Sequence, residues 1–335
     1  MLSFLVRRMI TATITIVVTV AVIFIITRKL GDPVAFMLGP RATPEQINFF
    51  REKAGLNDSL VIQFLNYLRD LLSLDFGESI STGRSVSSEV LLYLPATLEL
   101  VTFATLIGLI IFVPLGIYAA SRKGSLISKV CDGVVTLGVS IPSFWLGLFL
   151  IFIFYYVLEL APPPFGRISG SNNVESITGF LTVDSLIVGN ISAFLSAFSH
   201  LILPCLTLAL TSCVPILKLT KEMMASVLKS PYIRTARNLG LAERQIVWNL
   251  AFRNALVPIL TLSAMTFGFL IGGSVLVETV FSWPGIGLYA VQSMYKLDYA
   301  PVLAVTIIAT VSFVFVYFLV DLVSALVDPR IRANS

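Results

Sequence analysis

Six apolar runs, each long enough to cross a membrane, constrain this 335-residue chain more than any other feature of its sequence. A membrane-spanning helix needs about 20 mainly apolar residues, because the hydrocarbon core of a bilayer is about 30 Å thick. Charged residues make up 13% of the chain, against about 25% in a soluble globular domain. The chain is therefore predicted to be an all-α polytopic membrane protein. The six predicted spans cover residues 9–26, 98–120, 130–158, 201–219, 256–280 and 302–327.

Pro142 lies inside the third and longest of these runs. A proline within a helix lacks a backbone N–H donor, and its ring crowds the preceding turn. Sharp kinks in long helices occur mostly at such positions. The sequence therefore predicts one long third span that is kinked at Pro142.

The distribution of lysine and arginine sets the orientation of the spans, because short basic loops resist translocation. With the N-terminus in the cytoplasm, the cytoplasmic side holds 14 of the 23 basic residues and 5 of the 19 acidic residues. The net charge is then +9 on that side and −5 on the opposite side. Six spans place both termini in the cytoplasm, and the chain is expected to be a multi-pass protein of the plasma membrane.

The first region outside the membrane, about residues 30–95, has the sequence pattern of two helices. Thr43 and Gln46 form a capping box around a proline at the first helical position, and Gly55 is predicted to end that helix. The second helix either lies against the membrane surface or a neighbouring subunit, or only caps the spans. Its predicted apolar face consists of Leu60, Phe64, Leu68, Leu71 and Leu72.

The sequence contains no recognisable set of catalytic residues, so we expect neither an enzyme nor a metal or cofactor site. His200 is the only histidine, which excludes the HExxH zinc motif, and it is expected at the start of a helix near the membrane surface. The pattern Gly285-x-Gly287-x-x-Ala290 matches a dinucleotide-binding turn, but no strand precedes it. A turn between two spans is the better interpretation.

The chain also shows no energy source of its own. It contains no Gly-Lys dipeptide, and therefore no Walker A phosphate loop. Four acidic residues near predicted span ends are expected to anchor helix ends in water rather than to bind coupling ions. These residues are Glu99, Asp132, Glu278 and Asp321. Any driving energy is therefore expected to come from another polypeptide.

A basic insertion between the fourth and fifth spans, about residues 221–255, is the candidate functional site. Pro231 predicts a break within its first half, and Gly240 suits the left-handed position that ends a helix. A second helix begins near Ala242 and leads into the fifth span. Ala236 and Gly240 are small residues four apart, and they are expected to allow close approach by another protein.

The positive charge of this insertion admits two interpretations. Arg234, Arg237 and Arg244 can pair with an acidic groove of a partner or with lipid headgroups. A basic loop beside the membrane also serves as a plain topology signal. The helix–glycine–helix pattern leaves docking and topology as equal alternatives.

At these residues the chain resembles the ABC importer permeases of the dipeptide/oligopeptide (peptide/nickel) family. The stretch from Thr235-Ala236-Arg237 through Gly240 to Pro258 is similar to their signature loop. That loop normally begins Glu-Ala-Ala, and Thr and Arg replace two of its residues here, a variation usual in the peptide branch. Further stretches match in order along nearly the whole chain: Gly31-Asp32-Pro33, Asp75-Phe76-Gly77-Glu78-Ser79, Leu94-Pro95-Ala96-Thr97-Leu98-Glu99-Leu100, Ser140-Ile141-Pro142-Ser143, Glu278-Thr279-Val280-Phe281-Ser282-Trp283-Pro284 and Asp328-Pro329-Arg330.

The resemblance implies the type I importer transmembrane fold. Residues 1–94 would hold the first span and an extracytoplasmic region, 95–327 the five-helix core domain, and 328–335 a cytoplasmic tail. The chain is most similar to the first of two dipeptide permease subunits, on the basis of Thr178-Gly179-Phe180 and Asp184 in an outer insertion. The implied ATPase-coupling residues are Tyr232, Arg234, Ala236, Arg237, Gly240 and Glu243.

The resemblance also implies the partners: a second homologous permease, two cytoplasmic ATPases that bind ATP and magnesium, an extracytoplasmic substrate-binding protein and membrane lipid. No nucleic acid is expected. Dipeptides or short peptides are the expected cargo, while haem, glutathione-like compounds and nickel chelates pass through similar permeases. A secondary transporter or channel, and a membrane subunit of a respiratory or assembly complex, are the alternatives from other classes.

Overall fold

A computed structural model describes residues 2–30, 43–53, 57–169 and 174–327 of the chain. Its described residues are almost entirely helical, as predicted. In chain order the first three described helices are α1 (Leu2–Leu30), α2 (Pro44–Lys53) and α3 (Leu60–Leu72). They are followed by α4 (Val86–Ser121), α5 (Leu126–Ser140), α6 (Ser143–Leu150, continued by a π-helix over Ile151–Val157), α7 (Leu181–Ile187) and α8 (Ile191–Leu208).

A second π-helical stretch, Ala209–Cys213, joins α8 to α9 (Val214–Val227), which leads to the short helix α10 (Pro231–Asn238). The helix α11 (Glu243–Gln245) continues through a third π-helical stretch, Ile246–Ala251, into α12 (Phe252–Gly273). The last elements are α13 (Val275–Val280), α14 (Ile286–Tyr295) and α15 (Tyr299–Val327).

Five helical stretches of the described residues are long and apolar enough to cross a membrane. They are Val6–Ile26, Val86–Ser121, Ile191–Val227, Glu243–Gly273 and Tyr299–Leu322. The bent pair α5 and α6 brings the number to six if the pair makes one crossing. The predicted spans therefore correspond to these elements, although α4 begins well before residue 98 and a separate helix, α13, follows the fifth span.

The third span differs in shape from the prediction. Instead of a kink, α5 and α6 meet at 111°, so the chain turns sharply between them. Ile141 and Pro142 both have extended backbone angles, because a proline pushes the preceding residue out of the helical region. The break therefore takes two residues rather than one distorted turn.

The two outermost long helices, α1 and α15, pack side by side and antiparallel. Arg8 near the start of α1 pairs with Asp321 near the end of α15, at 3.0 Å between Nη1 and Oδ2. Further along, Val20 and Ile23 of α1 form a buried apolar cluster with Ile307 of α15. The beginning of α1 and the end of α15 consequently lie on the same side, the basic side that the positive-inside rule assigns to the cytoplasm.

The helix α3 packs on α1 with one face, in agreement with the alternative that it caps the spans. The ring of Phe64 lies 5.4 Å from that of Phe24 in α1, and Leu68 and Leu71 join the same apolar cluster. Leu60 and Leu72, which were assigned to this face, are 64% and 87% exposed. The capping box before α2 is confirmed by reciprocal hydrogen bonds between Thr43 and Gln46, whereas Gly55 lies outside the described residues.

The longest helix, α4, forms the centre of the fold and contacts α8, α9, α12, α14 and α15. Its approach to the π-helical stretch Ala209–Cys213 and to α9 depends on glycine. A methyl group at Gly108 would lie 2.6 Å from Cβ of Cys213, and one at Gly116 would lie 2.7 Å from Cβ of Thr220. The three cysteines are free and buried.

Replacing Gly108 by alanine should destabilise this packing, by about 1–3 kcal/mol, as overpacking of a close-packed interior usually does. The matched control is Gly133→Ala in α5, where an added methyl group meets nothing within 4 Å. Both variants gain the same helix propensity, so their difference isolates the steric effect. Thermal unfolding in detergent should give a lower Tm for Gly108→Ala than for Gly133→Ala. Equal values would contradict the close contact between α4 and Cys213.

Candidate coupling site and outer polar cluster

The coupling segment, residues 221–255, forms a helical corner on the basic side of the protein. Pro231 occupies the first turn of α10, where its missing N–H costs nothing. The helix ends at Leu239, and Gly240 follows with a φ of +80°, in the left-handed region that favours glycine. The N–H of Leu241 then donates to the carbonyl of Ala236 at 3.2 Å. The predicted break at Pro231 and the predicted glycine corner are both confirmed.

The two faces of α10 differ in composition. Ile233 and Ala236 are buried against the rest of the chain, whereas Tyr232, Arg234 and Arg237 are exposed. Ala236 therefore does not present its small side chain to another protein, contrary to the expectation from its spacing to Gly240. Its size instead lets α10 lie close to its own chain. Gly240 and Glu243 are exposed.

Two polar contacts fasten α10 to the helices that follow it. Arg237 pairs with Glu243 across the glycine corner, with Nε–Oε1 and Nη2–Oε2 distances of 2.5 and 3.3 Å. The side-chain amide of Asn254, in α12, donates to the hydroxyl of Tyr232 at 2.9 Å. These contacts join α10 to α11 and to the start of α12. The guanidinium of Arg234 has no hydrogen bond or ion pair within the described part of the chain.

Positive charge accumulates beside this corner. The nearby ammonium of Lys229 lowers the pKa of Lys123, since two like charges disfavour the protonated state. Lys221 is neutralised by Asp132 of α5 at 2.6 Å and also donates to the carbonyl of Ser128. Asp132 thus remains at the surface, as predicted, and it holds α5 against α9.

On the opposite side of the membrane, Glu99 of α4 is completely buried. Its Oε1 accepts hydrogen bonds from the backbone N–H and the hydroxyl of Thr182, at 2.8 and 2.6 Å. Its Oε2 pairs with Nη2 of Arg167 at 2.5 Å. The expectation that Glu99 anchors a helix end in water is therefore wrong. A buried carboxylate requires such partners, because its uncompensated charge would cost several kcal/mol.

Glu278 of α13 is the second carboxylate that the structure buries against expectation. It accepts from the hydroxyls of Thr97 and Ser274, both at 2.8 Å, and from the backbone N–H of Leu288 at 3.0 Å. A methyl group at Gly287 would lie 2.8 Å from its Oε2. The glycine pattern at residues 285–290 lies at the start of α14, because Gly285 directly precedes the helix and residues 286–290 are inside it. The predicted turn between spans therefore contains only the first glycine, and Gly287 makes room for this carboxylate.

Asp298, directly before α15, is buried, and only one of its two carboxylate oxygens accepts hydrogen bonds from the described residues. Its Oδ2 accepts from the hydroxyl of Ser79 at 2.6 Å and from the N–H of Ser81 at 3.0 Å. The side chain of a residue in this position usually accepts from the third residue of the helix, which here is Pro301 and has no N–H. The Oδ1 atom has no partner among the described residues.

His200 lies within α8 rather than at its start, because that helix begins nine residues earlier, at Ile191. Its Nδ1 donates to the carbonyl of Ser196 at 2.7 Å, and its Nε2 lies 3.0 Å from the hydroxyl of Ser169. The ring is buried and joins α8 to the outer loop. No group of three or more metal-binding side chains occurs in the described ranges.

The membrane-spanning helical fold agrees with what comparison with known proteins finds. The family described as "Binding-protein-dependent transport system inner membrane component" matches residues 112–333, and the N-terminal family of the same transport systems matches residues 1–101. The chain belongs to the binding-protein-dependent transport system inner membrane components.

Several relatives match the chain over almost all of its length. It is 39% identical to the probable D,D-dipeptide transport system permease protein DdpB of Escherichia coli (strain K12), covering 92% of this chain and 91% of the relative. It is 36% identical to the di/tripeptide transport system permease protein DppB of Pseudomonas aeruginosa (strain UCBPP-PA14), covering 99% of each. It is 34% identical to the oligopeptide transport system permease protein AppB of Bacillus subtilis (strain 168), covering 99% and 100%.

Among solved structures, the MetNI methionine ABC transporter in inward facing conformations is similar with a TM-score of 0.47 and 17% identity. The likeness covers 72% of this chain and 93% of the other. The family assignment rests on the family matches and the relatives.

Sequence reasoning missed Arg167 and Thr182, the two partners of Glu99. One signal was present: Arg167 is the only basic residue in the second outer region, residues 161–200. A lone cation in such a region needs an anion, and Glu99 was placed near the same membrane surface. Neither the helical periodicity nor the sequence spacing of the residues identifies that contact, because Arg167 and Glu99 are 68 positions apart.

The two ion pairs should differ strongly in their effect on stability. Arg237→Ala removes an exposed pair and should cost about 0–1 kcal/mol. Arg167→Met leaves Glu99 buried without a cation and should cost about 3–5 kcal/mol. Thermal unfolding in detergent measures both, and the double variant Arg167→Met/Glu99→Gln should recover most of the lost Tm because it leaves no unpaired charge. Equal losses for the two single variants would contradict the burial of Glu99.

Proposed function

We propose that this chain is the membrane-spanning subunit of an ATP-driven importer that moves dipeptides or short peptides into the cytoplasm. The family membership supports an import permease, and the names of three relatives, 34–39% identical, specify dipeptides, di/tripeptides and oligopeptides. A second permease, two ATPases that bind ATP and magnesium, and an extracytoplasmic binding protein complete the proposed complex.

The observation that carries the coupling part of this proposal is the exposed face of α10. It presents Tyr232, Arg234 and Arg237 on the basic side, at a corner that the chain itself leaves uncovered. Arg234 is available for an acidic group of an ATPase, while Tyr232 and Arg237 connect α10 to α11 and α12. The proposed contact therefore lies on the aromatic and basic side chains and at Gly240, and Ala236 supports it from within.

In this mechanism ATP changes the population of two conformations. The ATPases bind ATP better when they are closed, and closure moves the paired α10 helices of the two permeases. Because α10 is fastened to the start of α12 and follows directly on α9, its displacement reaches two membrane helices at once. The pathway then opens to the binding protein, which releases its peptide.

The two buried carboxylates remove one argument against ion-coupled transport, since Glu99 and Glu278 were expected at the surface. The hydrogen-bond partners of the two carboxylates supply a different argument against ion-coupled transport. Each carboxylate already accepts three hydrogen bonds, and one of the three bonds to Glu99 comes from Arg167. The family membership favours ATP-driven import over an ion-driven carrier.

Gly240→Arg should abolish ATP-dependent uptake while the protein still inserts and folds. A Cβ at this position meets nothing within 4 Å of its own chain, so added bulk can collide only with a partner. Gly240→Asn is the control, since asparagine tolerates the left-handed backbone and is short. Co-purification of the ATPases should be lost in the arginine variant and kept in the asparagine variant. Retention in both would contradict docking at this corner.

The cargo is tested with the complete complex in proteoliposomes. Uptake of a labelled dipeptide should require ATP and the binding protein, and an imposed proton or sodium gradient should not replace ATP. Mass spectrometry of the ligand that co-purifies with the binding protein should identify peptides. Haem or a metal chelate in its place would overturn the cargo alone, whereas uptake driven by an ion gradient would overturn the importer itself.

A further inference from the structure

We propose that the ion pair between Arg167 and Glu99 is a positioning latch, through which a load on the outer segment reaches the coupling segment across the membrane. The outer segment is defined here as residues 161–169 and 174–190. This inference rests on the proposed function and assigns to the two residues a part in signalling that the binding protein has docked.

All the hydrogen bonds that join the described outer segment to α4 meet at one side chain. Three such bonds are present, and each ends on Glu99: one from Arg167 and two from Thr182. The carboxylate is fully buried and the arginine is mostly so, with 16% of its side chain exposed. Water therefore does little to screen the pair, and the contact is strong and directional.

Arg167 also contacts two other parts of the protein on the outer side. The same Nη2 donates to the carbonyl of Gly179 at 2.8 Å, within the outer segment. The guanidinium lies 5.7 Å from the ring centre of Trp283, whose indole N–H donates to the carbonyl of Ala96 in α4 at 2.8 Å. Movement of the outer segment thus acts on α4 directly and through the loop that holds Trp283.

From Glu99 the connection continues along α4, which is a single helix to Ser121 on the basic side, with Pro114 inside it. Gly108 lets α4 pack closely on the π-helical stretch Ala209–Cys213, and Gly116 lets it pack closely on α9. α9 ends at Val227, and α10 begins at Pro231, after a turn in which the N–H of Ser230 donates to the carbonyl of Val227 at 3.0 Å. A shift at the outer end therefore reaches α10 through helices in close contact and one hydrogen-bonded turn.

The outer segment also contains a buried carboxylate of its own, Asp184, which serves as the matched control for Glu99. Asp184 accepts hydrogen bonds from the hydroxyl and N–H of Thr178 and from the N–H groups of Ile177 and Gly179. All of these donors belong to the outer segment itself. Burial raises the pKa of Asp184, but the bonds from Thr178, Ile177 and Gly179 outweigh it and lower the pKa overall. Its stabilising effect is thus present above the ordinary carboxyl pKa and is lost only as the pH falls through the lower folded value.

The test uses the complete complex in lipid nanodiscs, with ATP hydrolysis measured in the absence and presence of peptide-loaded binding protein. The double variant Arg167→Met/Glu99→Gln removes both charges and so avoids an unpaired buried ion. We expect it to keep assembly and basal hydrolysis, while stimulation by the binding protein falls by about 5-fold to 150-fold, the range typical of coupling between sites. Asp184→Asn should keep the stimulation.

A conservative variant keeps the proposal testable if the double variant fails to fold. Arg167→Lys keeps the charge and loses the second donor group, so it should retain part of the stimulation. A double variant with normal stimulation would overturn the latch. An equal loss in Asp184→Asn would also overturn it, because general loosening of the outer segment would then explain the effect. If the wild-type complex shows no ATP-driven uptake, the proposed function fails instead of the latch.

Discussion

The burial of Glu99 and Glu278 determines how the extracytoplasmic half of this protein is held together. Each carboxylate lies where water cannot reach it, so the chain must supply every hydrogen bond that water would have made. Glu99 obtains them from a segment 68–83 residues further along the chain, and Glu278 from α4 and from the first turn of α14. Three separate parts of the sequence are thereby positioned against the central helix.

The central helix then connects the two sides of the membrane. α4 carries the buried acid at one end, and its glycines make close contacts with the π-helical stretch Ala209–Cys213 and with α9 along its length. The basic corner at α10 follows directly from α9. An importer needs such a connection, because its substrate arrives on one side and its energy is supplied on the other. Ion pairs lie on both sides of the membrane in this architecture, and close apolar packing lies between them.

The coupling site shows how far a local pattern can be interpreted. Pro231 and Gly240 act through their own backbone preferences, so the start and end of α10 were predictable from sequence alone. The role of Ala236 was not, because a helix of eight residues has two faces and spacing does not say which one meets a partner. The same limit applies to α3, where Phe64 packs on α1 while Leu60 and Leu72 remain exposed.

The sequence by itself determined the class of fold, the number of apolar crossings, the orientation of the charges and the helix boundaries set by proline and glycine. These properties depend on composition, period and residues adjacent in the chain. Only the tertiary structure decided that α5 and α6 turn by 111°, and that Glu99 pairs with Arg167 rather than with water. The physical reason is that burial and ion pairing depend on contacts between distant segments, and those contacts exist only once the helices have packed.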